Sequence, residues 1–356
     1  MDESWFDLPV YDLPADDKQA KLCATLAELS AYHQQACQPY SNLLQAYGQA
    51  DQSLNNREDF FPLAVRLFKY HDLASVPASD VVKTLYSSGT SGNPSTIRLD
   101  KATATAQTKV LVRIIQQWLG KKRLPMLIAD HPGVVKNQQA MTARGAGIQG
   151  LSFLGRNHTY ALNEDMTLNG EAVRAFIEKH AQEKVLIFGF TFMVWQYFFK
   201  AIQQEGLTFK DAFLLHGGGW KKLQSEAVSA EYFKLQMNRI GIDSVHSYYG
   251  MVEQVGSIYV ECEHGYLHSP VYSDVVVRDL ETGRPCEIGK TGVIELLSVV
   301  PESYPGHVLL TEDMGVLQGE DSCPCGRKGR YFTVTGRIPQ AETRGCSDTF
   351  SREVSS

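Results

Sequence analysis

The apolar rhythm of the chain changes twice. Over residues 16–47 apolar and polar positions recur at helical spacing, which predicts an N-terminal helical region. From Leu85 onward, short apolar runs end in glycine or polar turns and give way to helical stretches, with 125–129, 185–189 and 212–215 as examples. That alternation predicts an α/β fold with largely buried strands. Beyond Tyr266 the texture is all-β: YSDVVVRD, TGVIELLSV and GHVLLT, with a Glu281-Thr282-Gly283-Arg284 turn, predict hairpins. The most hydrophobic stretch, 185–199, is shorter than the roughly 20 residues of a spanning helix. Gly189, Thr191 and Gln196 interrupt it, so the expectation is a buried strand over 185–190 feeding an amphipathic helix over 192–204.

Composition narrows the class. The 356 residues are 43% hydrophobic and carry a net charge of −6, which excludes extended disorder and gives no basic stripe for a nucleic-acid partner. Seven scattered cysteines form no disulfide framework. The acidic N-terminus, Met1-Asp2-Glu3, does not read as a signal peptide, and no membrane span is expected. These features together predict a cytoplasmic protein.

The densest chemical signal is Ser87, Ser88, Gly89, Thr90, Ser91 and Gly92, followed by Asn93, Pro94 and Ser95. Two glycines allow a tight turn with exposed N–H groups, and four hydroxyls offer neutral donors to phosphate oxygens. A Walker loop is excluded, since no Gly-Lys-Ser/Thr follows. By itself the segment reads equally as a phosphate cradle or as a surface turn. Read with three later segments, it resembles the phosphate loop of the adenylate-forming superfamily. Tyr249-Gly250-Met251-Val252-Glu253 is similar to that superfamily's Tyr-Gly-x-Thr-Glu motif, Thr311-Glu312-Asp313-Met314-Gly315 to its Thr-Gly-Asp-x-Gly motif, and Gly336-Arg337 to its closing Gly-Arg pair. The run from Leu215 through Gly217, Gly218 and Gly219 to Lys222, with Arg344-Gly345-Cys346, resembles the LuxE family of acyl-protein synthetases.

The resemblance implies a layered αβαβα core like the N-terminal domain of adenylate-forming enzymes, with a C-terminal β-rich subdomain. Only 356 − 337 = 19 residues follow Arg337, so the small lid domain is expected to be lacking. The expected division is a helical region over 1–60, an adenylation core over 61–260, a β-rich subdomain over 261–337 and a mobile tail over 338–356 carrying Cys346. The resemblance further implies that the serine–glycine loop cradles ATP phosphates and that Glu253 holds Mg²⁺. Tyr249 and Gly250, with the glycine turn 217–219, would meet the adenine, and Asp313 with Arg337 the ribose. Cys346 would carry the acyl group as a thioester, a thiolate being a good nucleophile towards an acyl phosphate.

Two departures stand out. Val252 replaces the motif threonine, and no lysine closes the phosphate loop; Lys83, Lys221 and Lys222 are the basic residues that could replace it. Phe188, Phe190, Phe192, Met193, Trp195 and Phe198 read either as the wall of an acyl pocket or as plain core. Cys262, His268, Cys323 and Cys325 have the donor types of a structural Zn²⁺ site, with His264 competing for the histidine position, or are unrelated thiols. The implied partners are a fatty or other carboxylic acid, an acyl reductase and an acyl-transferase protein. Two rivals remain at this point: a phenylacetate-CoA-ligase-like enzyme, which passes the acyl group to CoA, and a catalytically silent nucleotide- or acyl-binding scaffold.

Overall fold

In the computed structural model, described for residues 1–50, 54–87, 93–135, 143–220 and 227–338, the N-terminal helical region is two helices, α1 (Ala15–Ala36) and α2 (Gln38–Ala46). They part at Cys37, whose backbone is extended; Pro39 then sits in the first turn of α2, where a missing N–H leaves no bond unmade. A short strand β1 (Leu63–Ala64) and the pair β2 (Val81–Tyr86) and β3 (Thr96–Asp100) precede α3 (Lys101–Leu119). Next come β4 (Leu124–Ile128), α4 (Ala143–Leu151), β5 (Gly155–Tyr160), α5 (Gly170–Lys179) and β6 (Val185–Phe190). The helix expected over 192–204 forms, but in three pieces: α6 (Thr191–Met193), a π-helical segment (Val194–Phe199) and α7 (Lys200–Gln204). They lead to β7 (Ala212–Gly217), α8 (Ala230–Asn238), β8 (Ser244–Tyr249) and β9 (Tyr259–Glu261). The all-β texture past Tyr266 becomes β10 (Leu267–His268), β11 (Ser273–Arg278), β12 (Thr291–Ser298), β13 (Val308–Glu320) and β14 (Arg330–Arg337).

Packing groups the chain into two units drawn from non-consecutive stretches. The first contains Met1–Leu111, Gly250–Ile258 and everything described from Tyr266 on. Its sheet is an antiparallel meander β11-β12-β13-β14, with β10 beyond β14 and β1 running parallel to β13. An apolar cluster joins α2 (Tyr40, Leu44), β1 (Leu63), β3 (Ile97, Leu99), Val255, Tyr304 and β13 (Leu309).

The second unit contains Val112–Tyr249 and Tyr259–Gly265. Strands β5, β4, β6, β7 and β8 lie side by side and parallel, and β9 is antiparallel to β8. The near-continuous apolar runs follow from burial on both faces of a parallel sheet. Leu127, Ile187, Leu214 and Val245 face a core completed by Val173, Phe176, Phe198 and Met237 from the helices. No helix among the described residues is long and apolar enough to cross a membrane.

Candidate functional site

In the first unit, the serine–glycine segment joins the antiparallel strands β2 and β3, paired down to Tyr86 opposite Thr96. The base of the loop is pinned twice: Ser87 N–H donates to the Ser95 carbonyl (3.1 Å), and Ser95 N–H donates to Ser87 Oγ (2.8 Å). Ser88, Gly89, Thr90, Ser91 and Gly92 lie outside the described residues.

Glu253 belongs to a 3₁₀ turn (Val252–Gln254) and is 7% exposed. The turn is held by its neighbours. The Gln254 amide donates to the carbonyls of Leu296 (3.2 Å) and Gly306 (3.3 Å), and Val255 N–H donates to the Tyr304 hydroxyl (3.2 Å). Val252, the residue that departs from the motif, packs its side chain on the apolar cluster. Burial pushes the Glu253 carboxyl above its usual range, with Ser95 and Lys69 opposing the rise and Glu312 adding to it. Lys69 closes a 3₁₀ helix (Val65–Lys69), and no motif pointed to it. Lys83 is exposed on β2, and Lys221 and Lys222 lie outside the described residues.

Asp313 and Arg337 are register partners on β13 and β14, with Arg337 Nε 3.6 Å from Asp313 Oδ1. Asp313 is oriented by Thr311, whose hydroxyl accepts from Asp313 N–H (3.1 Å) and donates to the Ile294 carbonyl (2.8 Å). The final glycine of that motif is sterically required: a Cβ on Gly315 would lie 2.5 Å from the Thr333 carbonyl oxygen. The sequence therefore brings the motif pair together as a side-chain pair on neighbouring strands.

In the second unit, the strands β4, β6, β7 and β8 deliver Asp130, Phe190, Gly217 and Tyr249 at or just past their carboxyl ends, the edge where open parallel sheets bind ligands. A Cβ on Gly217 would lie 2.4 Å from the Tyr248 ring, and one on Gly218, at φ +73°, 3.1 Å from Phe190, whereas Gly219 faces open space. The Thr191 hydroxyl donates to the Gly218 carbonyl (2.8 Å) and lies 3.0 Å from His216 Nδ1. Burial holds His216 down at about 4, so it is neutral there. Tyr249 pairs with Tyr259 across β8 and β9, their rings 6.3 Å apart. Gly250 belongs to the first unit, where a Cβ would come within 3.0 Å of Ile258.

Of the six aromatic and methionine residues weighed as an acyl wall, Phe188, Met193, Trp195 and Phe198 are buried core; only Phe190 and Phe192 are half-buried. One group had no motif to announce it. Asp130 is 1% exposed, accepts from His131 N–H (2.8 Å) and lies 3.5 Å from Arg144 Nε on α4. Burial raises its carboxyl, against the His131 N–H and the Arg144 charge. The usable signal was positional: a polar pair, Asp130-His131, directly after a buried parallel strand.

The first unit also gathers His268, Cys323 and Cys325, whose ligand atoms lie within 4.8 Å of one another. Cys325 Sγ is 3.3 Å from His268 Nε2. The Cys323-Pro324-Cys325-Gly326 turn closes through Gly326 N–H to the Cys323 carbonyl (3.0 Å), with Gly326 at φ +83°. His268 is buried in this group, whereas His264 is exposed. Two thiols and an imidazole at this spacing fit the soft, borderline donor set of Zn²⁺. Cys262, the fourth donor expected from the sequence, is buried just after β9 in the second unit. Cys346 lies outside the described residues.

Residues 1–355 match the family described as acyl-protein synthetase, LuxE. The chain belongs to this family. Within reach of it, the chain is 23% identical over 309 residues to the long-chain-fatty-acid–luciferin-component ligase of Aliivibrio fischeri, covering 81% of this chain and 76% of the relative. The protein of the same name from Vibrio harveyi is 24% identical over 159 residues, 42% of this chain and 40% of its own length. Among solved structures, an open conformation of 2-hydroxyisobutyryl-CoA ligase in complex with 2-HIB-AMP and CoA superposes with a TM-score of 0.70 at 17% identity, over 92% of this chain and 77% of that one. The amide bond synthetase McbA from Marinactinospora thermotolerans gives a TM-score of 0.50 at 14% identity, over 83% and 57%. The LuxE member thus has the adenylate-forming fold that its motif order implied.

Proposed function

We propose that the chain activates a carboxylic acid, a long-chain fatty acid by analogy with the named relatives, with ATP and then holds the acyl group on Cys346. In the first step a carboxylate oxygen attacks the α-phosphorus, the bond to the β-phosphate oxygen breaks, and pyrophosphate leaves acyl-AMP behind. In the second step the Cys346 thiolate attacks the acyl carbon, a C–S bond forms, AMP departs with its oxygen, and the thiol proton goes to solvent. The observation that carries this reading is the buried Glu253 carboxyl set against Ser95 at the base of the serine–glycine hairpin, with the Lys69 charge favouring its ionised form.

In that reading Ser87, Ser88, Gly89, Thr90, Ser91 and Gly92 bind phosphate oxygens, and Glu253 holds Mg²⁺, which supplies charge neutralisation on the phosphates when bound. Asp313 accepts the ribose hydroxyls with Arg337 oriented beside it, and the flat backbone of Gly217–Gly219 with Tyr249 and Gly250 receives the adenine. A structural Zn²⁺ would be held by His268, Cys323 and Cys325, with Cys262 as the fourth donor. The acyl group then passes to a protein partner in the cytoplasm, an acyl reductase being the class that consumes a thioester to give an aldehyde; an acyl-transferase protein would supply the acid.

Pyrophosphate release across a panel of fatty and aromatic acids, with radiolabelled acid and with or without CoA, tests the reading. Cys346→Ser should keep acid-dependent pyrophosphate release and lose hydroxylamine-labile label on the protein. Persistent labelling of that variant sinks the carrier role. The Cys-x-Cys cluster favours one alternative, a CoA ligase, which would accumulate labelled acyl-CoA instead. ATP binding with no release for any acid would indicate a silent scaffold. Metal analysis of protein purified without chelators should find about one zinc per chain, and less than about a third of an equivalent counts against the site.

A further inference from the structure

Three consecutive glycines give the turn after β7 almost no conformational preference of its own. Gly218 nevertheless takes a left-handed backbone, and Gly218 and Gly219 are exposed. What holds the turn comes from the neighbouring strand. Thr191 follows directly on β6 and is buried. Its hydroxyl donates to the Gly218 carbonyl (2.8 Å), and the Gly217 carbonyl lies within reach of the same oxygen at 3.2 Å. One side chain thus grips two successive carbonyls of the turn.

His216 decides which way that hydroxyl points. A hydroxyl has one hydrogen, and with it spent on a carbonyl the oxygen can only accept elsewhere. His216 Nδ1 lies 3.0 Å from Thr191 Oγ1, so Nδ1 carries the hydrogen and donates to the threonine. The other neutral tautomer would make Nδ1 an acceptor and draw the threonine hydrogen away from Gly218. The imidazole is itself fixed: it is buried at the end of β7 and packs on Phe233, ring centroids 4.7 Å apart. The relay runs from imidazole N–H to hydroxyl to carbonyl, each bond polarising the next.

We propose that Thr191 and His216 are positioning residues for the nucleotide: their relay presets the glycine turn in the conformation that receives the adenine of ATP. This rests on the acid-activating reading above, in which Gly217–Gly219 meet the base. A turn of glycines that had to be ordered at each binding event would lose that entropy from ATP affinity. Fixing the backbone of a single residue on binding already weakens affinity by about tenfold.

The test compares the full-length protein with Thr191→Ser, Thr191→Val, His216→Asn, His216→Leu and the double variant Thr191→Val/His216→Leu. The readouts are ATP affinity by equilibrium dialysis without acid, KM for ATP and for dodecanoic acid in pyrophosphate release, and the urea midpoint. Thr191→Val should weaken ATP binding by about tenfold and raise KM for ATP to match, with KM for the acid within about twofold of wild type. His216→Leu should act in the same direction by less, because the hydroxyl remains but loses its direction. Thr191→Ser keeps the hydroxyl and His216→Asn keeps an N–H near the place of Nδ1, so both should bind ATP within about threefold of wild type. Thr191→Val alone leaves a buried N–H without its acceptor and should lower the urea midpoint, whereas the double variant replaces both partners with apolar groups and should regain it. ATP affinity in the double variant should stay about tenfold weak all the same. Affinity that returns together with the urea midpoint overturns the relay, and so does unchanged affinity in folded Thr191→Val. If Thr191→Val does not fold, the double variant decides in its place, and equal affinities in His216→Asn and His216→Leu remove His216 from the relay. Wild-type protein that releases no pyrophosphate with any acid sinks the acid-activating reading itself, whereas an active wild type whose variants bind ATP unchanged sinks only the relay.

Discussion

Glu253 shows how a residue's neighbours decide its chemistry. A carboxylate this deeply buried is pushed towards its neutral form, and Ser95 and Lys69 act against that push. A bound dication would complete the compensation, since its charge favours the ionised oxygen far more than either neighbour does. Glu253→Gln keeps the shape of the turn and removes the charge. Acid-dependent pyrophosphate release should fall by about 100-fold or more, with the remaining activity requiring more Mg²⁺; activity within a few fold of wild type at the same Mg²⁺ would remove Glu253 from the site. At this scale the sequence was legible where a motif fixes both residue type and order. Glu253, Asp313 and Arg337 were named from the resemblance of their motifs to a known superfamily, and Asp313 with Arg337 do form a side-chain pair. Lys69, Asp130 and Arg144 were not, because no motif names them and their charges matter only through what packing sets around them. Val252 departs from the motif threonine, and its packing on the apolar cluster supplies a structural use for the methyl groups.

At the scale of elements, periodicity located the N-terminal helical region, the strands β4, β6 and β7, the helix after β6 and the strands β11, β12 and the start of β13, and it missed what tertiary contacts impose: the break at Cys37, the π-helical segment and the register shifts of β13. The helical region was the least informative stretch for function, yet α1 anchors a buried polar device. His33 on α1 lies against His307, ring centroids 4.9 Å apart. His33 Nε2–H donates to the Pro301 carbonyl (3.2 Å), which leaves Nδ1 to accept from the Ser75 hydroxyl (2.8 Å). The Ser30 hydroxyl donates to Leu26 (2.8 Å), so His307 Nε2–H donates to Ser30 Oγ (2.9 Å). Burial holds His33 at about 4 instead of 6.5, and it pushes His307 down as well, with the His33 charge adding to that. A depressed histidine stabilises the fold fully above pH 6.5; the stability is lost as pH falls towards about 4, because the unfolded chain takes up a proton that the folded one refuses. For His33 alone the loss is about 3 kcal/mol. Urea midpoints measured between pH 7 and pH 4 should fall accordingly, and His33→Gln should flatten that slope while lowering stability at pH 7. An equal slope in the variant would assign the acid sensitivity elsewhere.

At the scale of the molecule, the sequence announced an α/β part and an all-β part, but not that the all-β unit would recruit the first hundred residues. Beside the apolar cluster of α2, β1 and β3 with β13, a buried ion network that no local pattern encodes ties α1 and the segment around Arg57 to the meander. Asp274 on β11 is fully buried; burial pushes its carboxyl up, and the cations of Lys18, Arg57 and Arg330 more than offset this, so it titrates below its ordinary value. Lys18 Nζ on α1 is 3.6 Å away and Arg57 Nε 3.3 Å. Arg57 continues to Glu320 on β13 (2.6 Å), and Arg330 on β14 pairs with Glu58 (3.0 Å). Arg278 and Glu295 form a second buried pair on β11 and β12, and Arg278 Nη2 donates to the Glu58 carbonyl (2.9 Å). The cations therefore come from the N-terminal segments and from β14, and the carboxylate that joins them from the meander. Such a network adds little over an apolar replacement of the whole set, but removing one member leaves the others as buried charges without their counter-ion. Asp274→Asn should lower unfolding free energy by about 3–5 kcal/mol. Lys18→Met alone should cost less, because one cation fewer still leaves Asp274 paired with Arg57. The double variant Asp274→Asn/Lys18→Met should be less destabilised than the sum of the two, since the second change removes a charge the first left unpaired. Additive losses would mean that α1 is held to the meander by its apolar face alone.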